Sequence, residues 1–81
     1  MNLGKQIVVV DNGFVYVGDC EWTRDFLTIH NARNIRVWGT SRGLGELVNG
    51  PLKSTTHDPA GTCLVPKSRV CLFLAVTEGW K

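Results

Sequence analysis

The stretch from residue 7 to residue 17 constrains the fold most strongly, because it predicts two strands joined by a tight turn. An apolar, β-branched run is followed by Asp11-Asn12-Gly13 and then by a second apolar run. Aspartate and asparagine tolerate left-handed backbone and glycine adopts it without cost, so the pattern is typical of a β-hairpin. We therefore predict an antiparallel sheet that begins with strands over Lys5–Val10 and Phe14–Val17.

The next part of the chain predicts further strands. After a turn region over residues 20–24, Phe26–His30 and Ile35–Trp38 each alternate between two faces. Residues 31–34 interrupt this alternation, so the two halves are either two short strands around a turn or one strand with a bulge. We favour two strands.

One short helix is predicted after these strands. Gly39 breaks the strand, and Thr40 or Ser41 can cap a helix with its hydroxyl group. Gly50-Pro51 ends the helix, because glycine supplies a left-handed cap and proline prevents continuation. The apolar positions with i, i+3, i+4 spacing form one stripe on the helix, namely Leu44, Leu47 and Val48.

The end of the chain predicts a polar loop over Leu52–Gly61, a short strand over Thr62–Val65 and a last, longest strand over Arg69–Thr77. Both faces of that last strand are apolar, whereas a half-exposed antiparallel strand alternates polar and apolar residues. It is therefore either central in the sheet or in contact with another subunit. Trp80 near the end of the sequence is expected to dock on something.

These elements predict a single domain over residues 1–81. Its fold class is mainly β (α+β), a small antiparallel sheet or barrel of about five or six strands with one short helix. A chain of 81 residues buries only about 60–65% of its unfolded surface, so a partner subunit is expected and we predict a homo-oligomer. No apolar run approaches the length of a membrane span.

The cysteines predict free, mostly buried thiols in a reducing cytoplasm. There are three, Cys20, Cys63 and Cys71, none at C-x-x-C spacing, and no signal peptide is recognised. Neither they nor the histidines have the spacing of metal ligands, so no metal is predicted. The adjacent pair His57-Asp58 precedes a proline and is more typical of a turn than of a catalytic pair. We predict no catalytic residue and no cofactor.

The charge distribution indicates a candidate ligand site. The net charge of +2 is too small to mark a nucleic-acid binder, but residues 26–45 hold three arginines and no acidic residue. A glycine-rich turn that opens a helix presents free N–H groups to an anion. A guanidinium pairs with phosphate and an indole stacks on a base, which together suit a nucleotide. The predicted ligand-binding residues are Arg33, Arg36, Trp38, Thr40, Ser41 and Arg42.

A structural interpretation of the same residues stays open. In it the glycines only permit the turn, Thr40 or Ser41 only caps the helix, and Trp38 is a core residue. The arginines are then solvated side chains on a strand and a turn.

Residues 32–47 read A-R-N-I-R-V-W-G-T-S-R-G-L-G-E-L, and Gly50-Pro51 and Val65-Pro66 follow. From about Ile29 to Trp80 the chain resembles small phage and prophage proteins with the segment AR-x-I-x-x-W-G-T-[ST]-x-G-L-x-x-L, a later GP and a VP strand. This resemblance implies a phage setting and a fold, and no particular activity. In size, compartment and expected oligomerisation the chain is also similar to phage proteins that sequester cyclic nucleotide signals of bacterial defence systems.

The predicted function is therefore that of a non-enzymatic phage accessory protein in the host cytoplasm. It would be an oligomeric binder of an anionic small molecule such as a cyclic nucleotide, with a role against bacterial defence. The alternatives are a protein-interaction or structural module of a phage, and a weak nucleic-acid binder. Steep loss of affinity with salt would distinguish the last of these.

Overall fold

A computed structural model describes residues 1–77, 79 and 80 of the chain. All its strands pair antiparallel in one sheet, in the order β4-β3-β2-β1-β5. The described residues form no ladder between the edge strands β4 and β5, so the sheet stays open. The prediction of a mainly β, antiparallel fold is confirmed. The strands are β1 (Asn2–Val10), β2 (Val15–Trp22), β3 (Phe26–Val37), β4 (Thr56–Pro66) and β5 (Val70–Ala75).

The predicted hairpin joins β1 to β2. The Gly13 N–H donates to the Val10 carbonyl at 2.9 Å, and the Phe14 N–H donates to Asn12 Oδ1 at 3.0 Å. Gly13 has the positive φ that the turn requires, 89°. β2 continues to Trp22 and takes in the first residues of the predicted turn over 20–24.

The prediction of two strands between residues 26 and 38 is wrong, because β3 is a single strand of 12 residues. Its register shifts between Ile29 and Ala32, where Asn31 adopts a left-handed φ of 52°. The strand therefore contains a bulge, the alternative that the sequence left open. Gly18 of β2 permits the close approach, since a Cβ there would lie 2.6 Å from Ile29 Cγ2 and 2.8 Å from the His30 carbonyl oxygen.

The predicted helix is a 3-10 helix, η1 (Leu44–Asn49). Neither Thr40 nor Ser41 caps it: the N-cap is Gly43, with no side-chain cap hydrogen bond. Gly50 ends the helix as predicted, with a φ of 119° and its N–H donating to the Leu47 carbonyl at 3.0 Å.

The last two strands differ from their predicted bounds. β4 begins at Thr56 and includes six of the ten residues assigned to a polar loop. β5 has six residues and lies at an edge of the sheet, so it is neither the longest strand nor a central one. The 3-10 turn η2 (Lys67–Arg69) connects the two. Three residues can join opposite edges only because the sheet curls.

Contacts across the sheet show this curl. The ring centroids of Trp22 in β2 and Phe73 in β5 lie 5.9 Å apart, although β1 separates these two strands in the sheet. The ammonium group of Lys67 in η2 lies 4.5 Å from the centroid of the same indole. The backbone N–H of Lys67 also donates to the Asp25 carbonyl at 3.2 Å.

The core consists of two clusters on opposite faces of the sheet, because adjacent residues of a strand point to opposite faces. The first cluster comprises Val8, Val10, Cys20, Leu27, Ile29, Ala32 and Val65. The second cluster comprises Ile7, Val15, Val17, Ile35, Leu47 and Trp80. Helix η1 and the chain after β5 cover the second cluster.

The chain after β5, here called the tail (residues 76, 77, 79 and 80), packs onto η1. The Thr77 N–H donates to the Val48 carbonyl at 2.9 Å. Trp80 is only 6% exposed, and its Nε1–H donates to the Leu47 carbonyl at 2.7 Å. The expectation that Trp80 docks is confirmed. Within the described part of the chain, no helix is long and apolar enough to cross a membrane.

Candidate functional site

Arg33 and Arg36 lie on opposite faces of β3, so the structure does not bring them together. Arg33 Nε donates to His57 Nδ1 at 2.6 Å, on the face of the second cluster. Arg36 pairs with the carboxylate of Asp58. Since His57 and Asp58 are consecutive residues of β4, their side chains leave opposite faces of the sheet. Residues 26–45 contain no acidic residue, but the neighbouring strand β4 supplies a carboxylate to one of their arginines.

The other predicted site residues lie in the connection between β3 and η1. Trp38 is 39% exposed, so it is not a core residue, and its carbonyl accepts a hydrogen bond from Thr55 Oγ1 at 2.6 Å. Ser41 and Arg42 are exposed and Thr40 is half-buried. The Arg42 N–H, one of the donors expected to face an anion, donates to the carboxylate of Glu46. Ligand binding by these residues stays a prediction.

A different group of side chains converges where the tail meets the sheet. We call it the cationic pocket and define it by Lys5 of β1, Arg33 of β3, His57 of β4 and Trp80 of the tail. Lys5 Nζ donates to the Trp80 carbonyl at 2.9 Å. The rings of His57 and Trp80 meet edge to face, with centroids 5.1 Å apart. Four separate segments of the chain therefore fix this group.

The pocket carries two positive charges that no described carboxylate neutralises. The ion pairs among the described residues are Arg36 with Asp58, Arg69 with Asp11, and His30 with Glu21. Neither Lys5 nor Arg33 takes part in one. No hydrogen bond joins the two terminal guanidinium nitrogens of Arg33 to another described residue. Within residues 1–77, 79 and 80, both cations thus lack an anionic partner.

His57 adds no positive charge of its own at neutral pH. Burial lowers its pKa below the ordinary 6.5, and the adjacent Arg33 lowers it further, against a smaller opposite effect of Asp58. The hydrogen bond agrees with this, because Nδ1 can accept from Arg33 only when it carries no proton. At neutral pH the uncharged imidazole thus orients the guanidinium of Arg33.

The bulge in β3 opens space beside these charges. A small cavity with room for about one water molecule is lined by Lys5, Val17, Gly18, Asn31, Arg33 and Trp80. A second, open groove runs from Asn31 and Arg33 across β3 to Pro59 and Gly61 of β4. Both include Asn31 and Arg33, so a ligand in the groove would meet the guanidinium at one end.

This arrangement suits binding of an anion. An ammonium and a guanidinium from different strands can contact one anionic group, and the Asn31 amide supplies neutral donors beside them. Among residues 1–77, 79 and 80, no three histidine, cysteine, aspartate or glutamate side chains are placed to hold a metal ion.

The sequence reasoning identified only Arg33 of this pocket as a ligand-binding residue. Lys5 and Trp80 are 75 residues apart in sequence, and no local pattern relates them. The one signal in the sequence was the apolar Trp80 near the end of a polar segment. It predicted that this side chain docks, but not where it docks.

Comparison with protein-family models, curated proteins and solved structures finds no match for this chain. The phage setting and the family resemblance therefore stay predictions from the sequence.

Proposed function

We propose that this protein binds an anionic small molecule without catalysing its conversion, and that the cationic pocket and its groove hold the ligand. The observation that supports this most directly is the convergence of Lys5 and Arg33, two cations from different strands, without a carboxylate partner among the described residues. Two half-buried cations beside a groove create a positive local potential, which favours binding of an anion.

The class of ligand that fits best is a phosphate ester such as a nucleotide. The two terminal nitrogens of Arg33, which bond to no other described residue, match a pair of phosphate oxygens, and the open groove toward Pro59 and Gly61 leaves room for the remainder of the molecule. Together with the resemblance to phage proteins, this supports the finer proposal of a cyclic nucleotide signal that is sequestered in the host cytoplasm. The loop with Trp38, Thr40, Ser41 and Arg42 would then be a second contact region or a separate surface.

The test is calorimetric titration of the protein with phosphate, adenosine monophosphate and cyclic mono- and dinucleotides. Arg33→Met and Lys5→Met should each weaken the binding of the best ligand about tenfold or more, since each removes one charged hydrogen-bond partner. Arg36→Met is the matched control: it removes a charge from the same strand on the opposite face, and should leave affinity unchanged. Thermal unfolding of each variant checks that the fold is intact.

Two results would contradict this proposal. If Arg36→Met and Arg42→Met abolish binding while Arg33→Met does not, the ligand lies at the loop after β3. If none of these probes binds, the cations serve only the fold. A DNA or RNA oligonucleotide whose affinity falls steeply with salt would instead favour nucleic-acid binding.

A further inference from the structure

β5 lacks most of the features that usually protect the edge of a sheet; its pairing with β1 is irregular only near its start, where Leu72 lies opposite Val9 and Val70 opposite Val10. Edge strands are normally blunted by charged residues, prolines or bulges, because their free N–H and C=O groups can pair with another chain. From Val70 to Thr77 the sequence has no charged residue and no proline. Leu72 is 47% exposed and Phe73 is 40% exposed, and Cys71 beside them is also exposed.

The opposite edge is protected. β4 contains Asp58 in an ion pair, Pro59, and Gly61 with a φ of 72°, and it ends at Pro66. Prolines cannot donate to a neighbouring strand, and the left-handed glycine bends the backbone away from a flat edge. Of the two edges of this sheet, only that of β5 is a good template for another strand.

The register shows which backbone groups of β5 face outward. β5 pairs with β1 so that Ala75 lies opposite Gln6 and Leu74 opposite Ile7, and the Val76 N–H donates to the Lys5 carbonyl at 3.3 Å. In an antiparallel ladder every second residue exchanges these hydrogen bonds with its partner. Leu74 therefore bonds to β1, and the N–H and C=O groups of Phe73 and Ala75 point away from the sheet.

We infer that the outer edge of β5 pairs with the same edge of a second copy of this chain, in antiparallel orientation about a two-fold axis. The outward backbone groups require an extended strand as their partner. A second β5 offers the same uncharged, exposed side chains and free donors, whereas β4 of another copy carries prolines and a charge. Because like pairs with like, the assembly closes at a dimer with a continuous ten-stranded sheet.

This inference is independent of the proposed ligand site. The cationic pocket uses β1, β3, β4 and the tail, and no residue of β5 belongs to it. A protein that binds no anion can still dimerise through β5, and the reverse also holds.

The experiment is analytical ultracentrifugation between roughly 5 and 500 µM, a range that spans the affinities of small interfaces. Wild-type protein should sediment as a dimer at the upper end. Ala75→Pro removes an outward N–H at an exposed edge position, where proline is tolerated, and Leu72→Lys places a charge on the edge. Each should raise the dissociation constant at least about tenfold, because both copies lose the contact. Leu64→Lys is the matched control, because Leu64 is 60% exposed and lies on the opposite edge strand, β4. This variant should dimerise like wild type.

Hydrogen exchange of the wild-type protein tests the inference even if a variant fails to fold. The amides of Phe73 and Ala75 should exchange more slowly as protein concentration rises, while those of β4 do not change. A monomer at the highest concentration, exchange at Phe73 and Ala75 that is independent of concentration, or a dimer lost only in Leu64→Lys would each overturn the pairing.

Discussion

Replacing Trp80 with alanine should destabilise the whole domain, although this residue lies outside every strand and helix. The indole is 6% exposed and forms part of the second cluster with Ile35 and Leu47. It donates a hydrogen bond to the Leu47 carbonyl and contacts the His57 ring. The tail therefore covers one face of the sheet in the way that a helix does in larger domains.

The size of the effect follows from the buried area. A buried tryptophan removes roughly 150–250 Å² from water, or about 4–6 kcal/mol at 25 cal/mol per Å². The unfolded chain already buries part of this area, so we expect a loss of about 3–5 kcal/mol, the usual range for tryptophan-to-alanine changes in cores. A domain of this length has a total stability of roughly 4–12 kcal/mol. Trp80→Ala thus removes about a quarter or more of it.

Urea titration followed by far-ultraviolet circular dichroism measures the loss. Trp80→Phe keeps most of the apolar contact and loses the hydrogen bond to Leu47, so it should cost only about 1–2 kcal/mol. Trp38→Ala is the control, since that indole is 39% exposed, and it should cost less than about 1 kcal/mol. If Trp80→Ala changes the free energy of unfolding no more than Trp38→Ala does, the tail is not part of the core.

Two further predictions concern titratable groups. The pKa of His57 is lower in the folded protein than its ordinary 6.5, so the unfolded chain takes up the proton first and stability should fall as pH drops through 6.5. Thermal unfolding between pH 8 and pH 5 measures this, and His57→Gln should flatten the dependence; an unchanged slope would contradict the assignment. For the cysteines, burial raises the pKa of the Cys20 thiol to about 11 and the side chain is 1% exposed, whereas Cys71 is exposed. A thiol reagent followed by peptide mapping should label Cys71 first and Cys20 only on unfolding, and equal native rates would refute this.

Local sequence patterns were sufficient where the structure is local. The Asp11-Asn12-Gly13 turn fixes the first hairpin, and Gly50 ends η1, because each depends on backbone conformations within a few residues. β3 was misjudged because its continuity depends on Gly18, a residue of the neighbouring strand that leaves space for the bulge at Asn31.

The position of β5 could not be predicted for a similar reason. Its two apolar faces favoured a central strand or a subunit contact, and the structure shows an edge strand. Both faces of β5 are partly covered, because Leu74 packs on the second cluster while Val70 packs on the first. That coverage results from the curl of the sheet, which no pattern within β5 specifies.

The candidate site was predictable only in part. Three arginines in a segment without acids indicated a basic patch, but residues at an odd spacing on a strand point to opposite faces, which separates Arg33 from Arg36. Asp58, 22 residues beyond Arg36, then pairs with it. The two charges that do converge are Lys5 in β1 and Arg33 in β3, and the tail joins them by returning to the start of the chain. Such long-range placement follows from the topology of the fold.

The three-residue link η2 also has a consequence for how the chain folds. Strands β1 to β4 form an antiparallel meander, whose contacts are closer in sequence than the pairing of β1 with β5 and are therefore expected to form earlier. The pairing of β1 with β5 instead closes a loop of almost the whole chain, which is entropically costly until the meander has curled and brought the end of β4 near β1. We therefore expect the β1–β5 ladder to form last and to open first. β5 is therefore the last strand to pair with β1, and its outer edge carries no charged residue or proline. A partly folded molecule is consequently most exposed to association with its neighbours at β5.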